Sequence, residues 1–490
     1  MTRLPLAALV FLASAATLTS GCATVRTDAA ADDLRQTLAE RADAPVVWRT
    51  DPDVDARADS AVAALLADSL SADAAVQVAL LNNPRLQATY EDLGVAQAQL
   101  VQAGLLSNPV FGGRALWGLD EGGAPDLGFN VAFEFLDVLW LPLRKRVARS
   151  EYASARLRVA EAVLDLAART RLAYTRAQAD RLRLEMEARI SRNAEAAHTA
   201  ALLLREAGTV PAAEYLAERA RYEQARLDVV MAEQGAAESR EALTRTMGLA
   251  SGAFRLGGRL EPVPDAEPLA ITLAEGPADG LVGATLDVSA LEDRAVASSL
   301  ALEAARYDAQ AVAHRLGLAG VQSVLPELEL GGEVEREDGE WEAGPEVEVA
   351  LPLFDGGQAR RAALRAELRR ARAEYRAVAV DVRSAARVLA TRLAAARRVA
   401  LHYQRVVLGL RQDLSEQTLR QYNAMQVGVF GLLQAQQAEA QSARDYADAL
   451  AAYWDARTDL DALLAGRMPD LGAAASPASG RAAPMREPGH

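Results

Sequence analysis

The chain has little of what disulfide-bonded proteins and most enzymes require. Its 490 residues contain one cysteine, four histidines and only 5% aromatic residues. A lone cysteine excludes an internal disulfide. The histidines, His198, His314, His402 and His490, show no paired spacing of the kind that metal ligands have. His198 and His402 fall on predicted long helices, where each is expected to be a packing or surface residue. We therefore expect no enzyme activity, no cofactor and no metal site.

The chain also lacks a positive charge balance and long apolar runs. Its net charge of −14 argues against nucleic acid as a partner, because a binder needs a basic face to neutralise phosphates. Beyond the N-terminus, no stretch reaches the roughly 18 uninterrupted apolar residues of a membrane-spanning helix. Such a chain crosses a membrane only with strands. Its long Ala-, Leu-, Arg- and Glu-rich segments instead favour long helices packed through small side chains.

The N-terminus predicts the compartment. Arg3 precedes an apolar run over residues 4–18, and Thr19-Ser20-Gly21-Cys22 follows, which is the layout of a secretory signal with small residues at its cleavage site. The segment resembles a bacterial lipoprotein signal, in which the cysteine becomes the first residue and carries lipid such as palmitate. Cys22 is therefore the predicted lipidation site. The alternative is an ordinary cleaved signal in which the cysteine occurs by chance.

The rest of the chain repeats itself. A Leu-Pro-Leu step occurs at residues 141–143 and again at 351–353, and each is preceded by an Ala-rich segment that breaks at a proline. Those prolines, Pro109 and Pro326, lie 217 residues apart, as do Gly208 and Met425. This spacing predicts a duplicated helix–hairpin–helix unit.

The predicted organisation follows from this duplication. Residues 1–21 are the signal, 22–70 an extended lead-in, 251–286 a Gly- and Pro-rich linker, and 466–490 a tail with the composition of disorder. The first repeat spans 71–250, with a helix from Ser71 towards Leu106, a hairpin at 108–140 and helices at 143–206 and 211–248. The second spans 287–465, with a helix at 288–318, a hairpin at 326–351 and helices at 358–421 and 432–465.

The helix predicted at 358–421 carries a coiled-coil period. Apolar residues recur at alternating steps of four and three, with one extra four-residue step at Leu393. The first part of this seam consists of Leu364, Leu368, Ala371, Tyr375, Val378, Val382, Ala385 and Leu389, and the second of Leu393, Ala396, Ala400, Tyr403, Val407, Leu410 and Leu414. The pattern predicts a helix that packs against other helices.

The hairpins have a period of two. In the second hairpin, glutamates alternate with apolar residues on both strands, and in the first hairpin Phe129, Val131, Phe133 and Phe135 alternate with Asn130, Ala132 and Glu134. Strands of about ten residues with one apolar and one polar face suit a transmembrane barrel. An amphipathic sheet on a soluble core is the alternative. Four strands cannot close a barrel, so closure requires several copies of the chain.

Several motifs together resemble the outer-membrane efflux protein family typified by TolC. The resemblance covers residues 71–465, nearly all of the mature chain, and rests on the order of elements as well as on these motifs. They are Asn82-Asn83-Pro84, Ser107-Asn108-Pro109, the Leu-Pro-Leu-Phe-Asp-Gly-Gly run at 351–357 and the segment 422–436.

The resemblance implies a fold that is mostly α with a β-barrel portion. Three subunits form a shared twelve-stranded outer-membrane barrel and an α-helical periplasmic tunnel, which a periplasmic adaptor and an inner-membrane pump engage. It also implies adaptor-contacting tips at the two helical turns farthest from the strands: Gly208, Thr209, Val210, Val427, Gly428 and Val429. Met425 stands where the family has a glycine, so Gly428 is the alternative turn residue.

These expectations converge on a passive conduit in the outer membrane, held by outer-membrane lipid and by the lipid on Cys22. If the apolar strand faces meet lipid, the alternating glutamates Glu327, Glu329, Glu346 and Glu348 face the lumen. The alternative function is a periplasmic coiled-coil lipoprotein that scaffolds the envelope and has no pore.

Overall fold

The computed structural model describes residues 27–39, 41, 46–117, 125–264, 288–323, 328–337, 340–350 and 353–470. Its helices are α1 (Thr27–Ala39), α2 (Pro52–Ala67), α3 (Ala72–Asn82), α4 (Pro84–Gln102), α5 (Asp137–Glu206), α6 (Ala212–Thr246), α7 (Val288–Ser298), α8 (Leu300–Gln322), α9 (Gln358–His402), α10 (Leu408–Asn423) and α11 (Val429–Ala465). Its strands are β1 (Ser69–Leu70), β2 (Val110–Leu116), β3 (Asp126–Glu134), β4 (Arg255–Leu256), β5 (Leu328–Glu337) and β6 (Glu340–Val349). The mostly α architecture with two hairpins is confirmed.

The described residues belong to two compact units, each drawing on both predicted repeats. The first contains the hairpins and comprises residues up to 38, 87–160 and 303–377. The second comprises 39–86, 161–302 and 378–490. Within the described residues, no helix is both long enough and apolar enough to span a membrane.

The sequence predicts an extended lead-in at residues 22–70, and this prediction is wrong for the described part of the segment. The segment contains helices α1 and α2. Asp51 caps α2 by accepting hydrogen bonds from the backbone N–H groups of Asp53 and Val54, and Pro52 occupies the first helical position, where its missing N–H has no cost. An N-cap acid followed by proline and an Ala-rich segment is a helix start, and this signal accounts for α2.

The helix predicted to begin at Leu143 begins six residues earlier, at Asp137, so that Pro142 lies inside α5. The buried carboxylate of Asp137 accepts hydrogen bonds from the Ser107 hydroxyl (2.7 Å) and the Arg144 guanidinium (3.0 Å). Burial raises the pKa of Asp137, but these hydrogen bonds and the Arg144 charge outweigh it, so the pKa is lowered. An ionised acid in the first turn stabilises a helix start, which accounts for the earlier beginning.

The helix predicted from Ser71 towards Leu106 is divided at Asn83. Ser71 caps α3 as predicted, since its hydroxyl accepts a hydrogen bond from the Ala74 N–H. At the break, the Asn82 amide donates to the Gly248 carbonyl at 2.8 Å, and the Asn83 amide donates to the Thr246 carbonyl at 2.8 Å. The two asparagines therefore satisfy carbonyl groups at the C-terminal end of α6 and fix this corner of the second unit.

The middle of the coiled-coil seam, from Val382 to Leu389, is buried in the second unit. Val382, Ala385 and Leu389 are fully buried, and they belong to a core cluster with Leu450 and Tyr453 of α11. A π-helical segment, Tyr403–Val407, then separates α9 from α10. Beyond it the seam residues Leu410 and Leu414 are 64% and 50% exposed. The seam residues that precede the π-helical segment therefore pack within this chain, whereas Leu410 and Leu414, which follow it, are exposed.

Candidate functional site

The four long strands form one antiparallel sheet in the order β2-β3-β5-β6. Because directly opposite residues share a face, the register assigns every side chain to one of two faces. One is acidic, and its charged members are Arg114, Asp126, Glu134, Glu329, Glu333, Glu335, Glu337, Glu340, Glu342, Glu346 and Glu348. The alternation read from the sequence is therefore present in β3, β5 and β6, with Arg336 as an exception, whereas β2 also places Val110 and Leu116 on the acidic face. Glu327 lies outside the described residues.

Three carboxylates form a row at the end of the sheet nearest the helices. Glu329 pairs with Glu134 on one side and with Glu348 on the other. The Ser107 hydroxyl lies 3.3 Å from the Glu134 carboxylate. Neighbouring paired side chains have Cβ atoms about 5 Å apart, so this row concentrates negative charge. Glu346 is on the same face, opposite Gly331.

A single cation lies on this face among the described strand residues. Arg114 of β2 forms ion pairs with Glu335, and with Glu333 at 3.9 Å. These contacts are towards the end of the sheet away from the helices, so the charge of the Glu134–Glu329–Glu348 row is not compensated by Arg114.

The opposite face of the sheet is exposed and apolar except for Arg336, which lies opposite Leu127 and Trp341 with its guanidinium 6.0 Å from the centre of the Trp341 ring. Its residues include Phe111, Phe129, Val131, Val334 and Val347, of which Phe111 is 69% exposed. The rings of Phe111 and Phe129 stack with centroids 6.1 Å apart, and Phe129 stacks on Trp341 at 6.5 Å. An apolar strand face bordered by an aromatic row is the pattern of a strand in contact with lipid at a membrane interface.

The two helical turns have the same backbone hydrogen bonds. At the first, Gly208 N–H donates to the Arg205 carbonyl and Thr209 N–H to the Leu204 carbonyl; at the second, Met425 and Gln426 donate to the equivalent carbonyls of Tyr422 and Gln421. Gly208 has φ +74°, and Met425 adopts the left-handed conformation with φ +58°. The duplication therefore extends to the backbone geometry. Met425 itself makes the turn, and Gly428, with φ −74°, caps α11 in an extended conformation.

The predicted tip residues lie at or next to these turns. Thr209 and Gly428 are exposed, and the side chains of Val210, Val427 and Val429 are half-buried. Beside the turns is a cavity of about 390 Å³, whose walls come from α5, α6 and α11. Its lining is rich in amides and includes Asn193, Gln434, Gln437 and Gln441. A polar cavity of this size is suited to water rather than to an apolar ligand.

His198 packs against aromatic rings, whereas His314 and His402 are exposed. His198 stacks on Tyr222 with centroids 5.5 Å apart and lies at the same distance from Tyr215. No group of three or more histidine, cysteine or acidic side chains in the described part of the chain could hold a metal ion. Cys22 lies outside the described residues.

Sequence reasoning missed Arg114 and the carboxylate row. Period two places residues on faces within each strand, but it does not give the pairing between the two hairpins. Glu134 was visible as a polar member of the first hairpin, while its position opposite Glu329 depends on β3 pairing with β5. The Ser107–Asp137–Arg144 cluster was hidden because Asp137 was assigned to the hairpin.

No protein-family model matches the sequence, and no curated protein matches it. Solved structures do match its fold. The CmeC outer membrane channel of Campylobacter jejuni is 15% identical and has a TM-score of 0.63 over 81% of this chain and 86% of that one. The outer membrane protein VceC of Vibrio cholerae is 16% identical, with a TM-score of 0.62 over 81% and 97%. The MtrE outer membrane channel of Neisseria gonorrhoeae, in its open state, is 18% identical, with a TM-score of 0.56 over 80% and 88%. The fold that the family resemblance implied is thereby confirmed, and this chain has the fold of the TolC-type outer-membrane channels.

Proposed function

We propose that this chain is the outer-membrane channel of a tripartite efflux system. It is a passive conduit through which small molecules or ions leave the periplasm or an inner-membrane pump for the exterior. Three copies share a barrel of twelve strands, and their helices extend into the periplasm, where a periplasmic adaptor and the pump engage them. The strands insert in the outer membrane, and a lipid on Cys22 anchors the N-terminus.

The observation that carries this proposal is the two-faced sheet. All four strands place apolar residues on one face, where Arg336 is the only charged residue among the described strand residues, and β3, β5 and β6 place acidic residues on the opposite face. Strands β2 and β6 lie at its edges, and an open edge cannot face lipid because its backbone groups would lack partners. Pairing β6 of one copy with β2 of the next satisfies both edges. Three copies then give an even strand number, as is usual in bacterial barrels.

The acidic face supports a preference for cations. In a closed barrel with its apolar face towards lipid, Glu327, Glu329, Glu346 and Glu348 line the lumen. Threefold symmetry turns each of them into a ring, and rings of carboxylates favour cations in a pore. Glu134 adds a further ring beside Glu329.

The two turns support the contact with an adaptor. Gly208, Thr209 and Val210, together with Val427, Gly428 and Val429, form the ends of the helical hairpins farthest along the chain from the strands. Similar hydrogen bonds at both turns offer two equivalent ends per subunit, which suits an adaptor that repeats around the assembly.

Conductance in a planar bilayer tests the proposal. The purified protein should produce stepwise ion currents, whereas a scaffolding lipoprotein without a pore gives none. A variant with Val347→Asp and Val349→Asp should lose the currents, because charges on the lipid-facing side of a strand are costly. The matched control, Glu346→Asp with Glu348→Asp, keeps acidic residues on the opposite face and should still conduct. Absence of current from the unmodified protein in vesicles shown to contain it would refute the channel.

A further inference from the structure

A run of six apolar residues lies at or just beyond the end of each strand pair, and cations follow it, directly in the first case and after Asp355 and four uncharged residues in the second. The first such segment is 138–143 and the second 349–354. The cations after them are Arg144, Lys145, Arg146 and Arg149 in the first case, and Arg360, Arg361 and Arg365 in the second. The chain has a net charge of −14, and these two cationic groups follow the strand pairs at corresponding places. Both groups lie in the first unit.

Four of these cations are exposed and have no acidic partner among the described residues: Arg146, Arg149, Arg360 and Arg365. Two others are used within the chain, since Arg144 binds Asp137 and the Leu105 carbonyl, and the Arg361 guanidinium donates to the Gly356 carbonyl. We call the four exposed arginines the basic belt.

Carboxylates close to the basic belt along the chain, namely Asp137, Glu151, Asp355 and Glu367, form no ion pair with it among the described residues. Asp137 is bound by Arg144, and Glu151 by Arg315. The Asp355 carboxylate accepts a hydrogen bond from the Gly357 N–H at 2.8 Å. The belt therefore retains its positive charge.

Exposed apolar side chains precede the belt on both segments. Phe354 is 96% exposed and Leu353 is 76% exposed, while Leu139 is 54% exposed. Arg149 lies six residues beyond Leu143, which is about 9 Å along α5, and Arg360 lies six and Arg365 eleven residues beyond Phe354. A flexible arginine side chain spans much of the distance at Arg149. Apolar side chains followed by cations match the order of acyl chains and phosphates in a bilayer leaflet.

We propose that the basic belt binds the headgroups of anionic phospholipids in the periplasm-facing leaflet of the membrane that the strands enter. This inference rests on the proposed function, because the strands must insert for the belt to lie at the lipid surface. The attraction comes from juxtamembrane arginines close to anionic phosphates, and it declines within a Debye length. The exposed Phe354 and Leu353 then contact the adjoining acyl chains.

Spin-labelled lipid tests the belt directly. The full chain is reconstituted in phosphatidylcholine vesicles containing either spin-labelled phosphatidylglycerol or spin-labelled phosphatidylcholine, and the motionally restricted fraction of each label is measured. The unmodified protein should associate with phosphatidylglycerol roughly threefold or more in preference to phosphatidylcholine. The variant with all four belt arginines changed to Gln should show a preference close to one, and added salt should weaken the wild-type preference.

The matched control removes four exposed arginines far along the chain from the strands: Arg219→Gln, Arg383→Gln, Arg392→Gln and Arg411→Gln. It should keep the wild-type lipid preference. The proposed role of the belt would be overturned if the wild type associated equally with phosphatidylglycerol and phosphatidylcholine. It would also be overturned if both variants lost the preference for phosphatidylglycerol to the same extent. Bilayer conductance is recorded on the same preparations. If the wild type conducts but shows no lipid preference, only the lipid-binding role of the belt is rejected. If the wild type does not conduct, the proposed channel function is rejected.

Discussion

Glu329 lies directly opposite Glu348 in the last hairpin, and Glu134 lies opposite Glu329 on its other side. Like charges directly opposite one another destabilise a sheet. The row therefore opposes folding, and its explanation lies in function rather than in stability. A ring of carboxylates in a pore supplies such a function.

Removing the pair should lower cation preference. Glu329→Gln with Glu348→Gln takes six carboxylates from a threefold assembly and leaves the shape of the side chains unchanged. Reversal potentials measured across a salt gradient should show a preference for cations in the wild type and a weaker one in the variant. The difference should shrink at high salt because screening shortens the reach of each charge. Adding Glu327→Gln and Glu346→Gln should lower the preference further.

The matched control for this experiment removes two exposed carboxylates from a helix, Glu233→Gln and Glu241→Gln. It changes the net charge by the same amount and should leave the reversal potential unchanged. Anion preference in the wild type, or an unchanged potential in the strand variant, contradicts the assignment of this face to the lumen.

Replacing Met425 by glycine should stabilise the protein. The Met425 φ of +58° is a left-handed conformation, which costs a residue with a Cβ roughly 1–2 kcal/mol, whereas glycine loses about 0.5–1 kcal/mol through its greater freedom in the unfolded chain. We expect Met425→Gly to raise the free energy of unfolding by about 0.5–1 kcal/mol. Gly208→Ala, at φ +74°, should lower it. Thermal unfolding measures both, and Ala424→Gly should be destabilising in the same assay. A loss of stability in Met425→Gly contradicts the strained turn.

Gly428 offers the cleaner test of the adaptor contact. Its φ is negative, and no atom lies within 4 Å of a Cβ added there, so Gly428→Leu introduces bulk without strain. Efflux in cells should fall while the yield of trimer stays normal. Gly409→Leu is the matched control, since Gly409 is exposed on a helix and also has no atom within 4 Å of an added Cβ. If trimer yield and efflux decline together, the position serves folding instead.

The sequence predicted the elements that depend on local patterns. Alternation gave the two faces of the hairpins, and long segments without glycine or proline gave the helices. The Gly208–Met425 spacing gave two equivalent turns. Each of these follows from steric or hydrophobic rules that act within one element.

The sequence could not predict features that depend on distant partners. The break at Asn83 is stabilised by carbonyls of Thr246 and Gly248, more than 160 residues away. The start of α5 depends on Ser107, which contacts Asp137 through tertiary structure. Leu410 and Leu414 carry the same period as the buried seam residues, yet they are exposed in a single chain. Periodicity identifies an apolar face and does not say which chain covers it.

The predicted anchor can be tested by labelling. Cys22 lies outside the described residues, so this prediction rests on the sequence. Wild-type protein made in a bacterium should incorporate labelled palmitate, and Cys22→Ser should not. Each buried acyl CH₂ contributes about 0.8 kcal/mol, but the strands hold the assembly independently, so some trimer should remain in the variant. Ser20→Ala, which keeps a small residue before the cysteine, should still be labelled. Unlabelled wild-type protein contradicts the anchor.

Asp455 of α11 should make stability dependent on pH. Burial, with a smaller contribution from Asp459 and against the opposing charge of Arg176, raises the pKa of Asp455 to about 7. Its Oδ1 atom is buried and has no hydrogen-bond partner in the described part of the chain. In the unfolded chain an aspartate has a pKa of about 3.9. Between these values the native state binds more protons than the unfolded state, so stability falls as the pH rises from about 4 to about 7.

Asp455→Asn removes the ionisable group and should therefore flatten this dependence. We expect the variant to exceed the wild type in stability by on the order of 2 kcal/mol per chain above pH 7, and the difference to vanish near pH 4, where both states of the wild type are protonated. Thermal unfolding followed by circular dichroism across this range measures it. Asp413→Asn, at an exposed position on α10, should leave the pH profile unchanged. A wild-type stability that rises between pH 5 and pH 7 by an amount that Asp455→Asn abolishes would mean that the carboxylate is stabilised in its charged form, contrary to its burial.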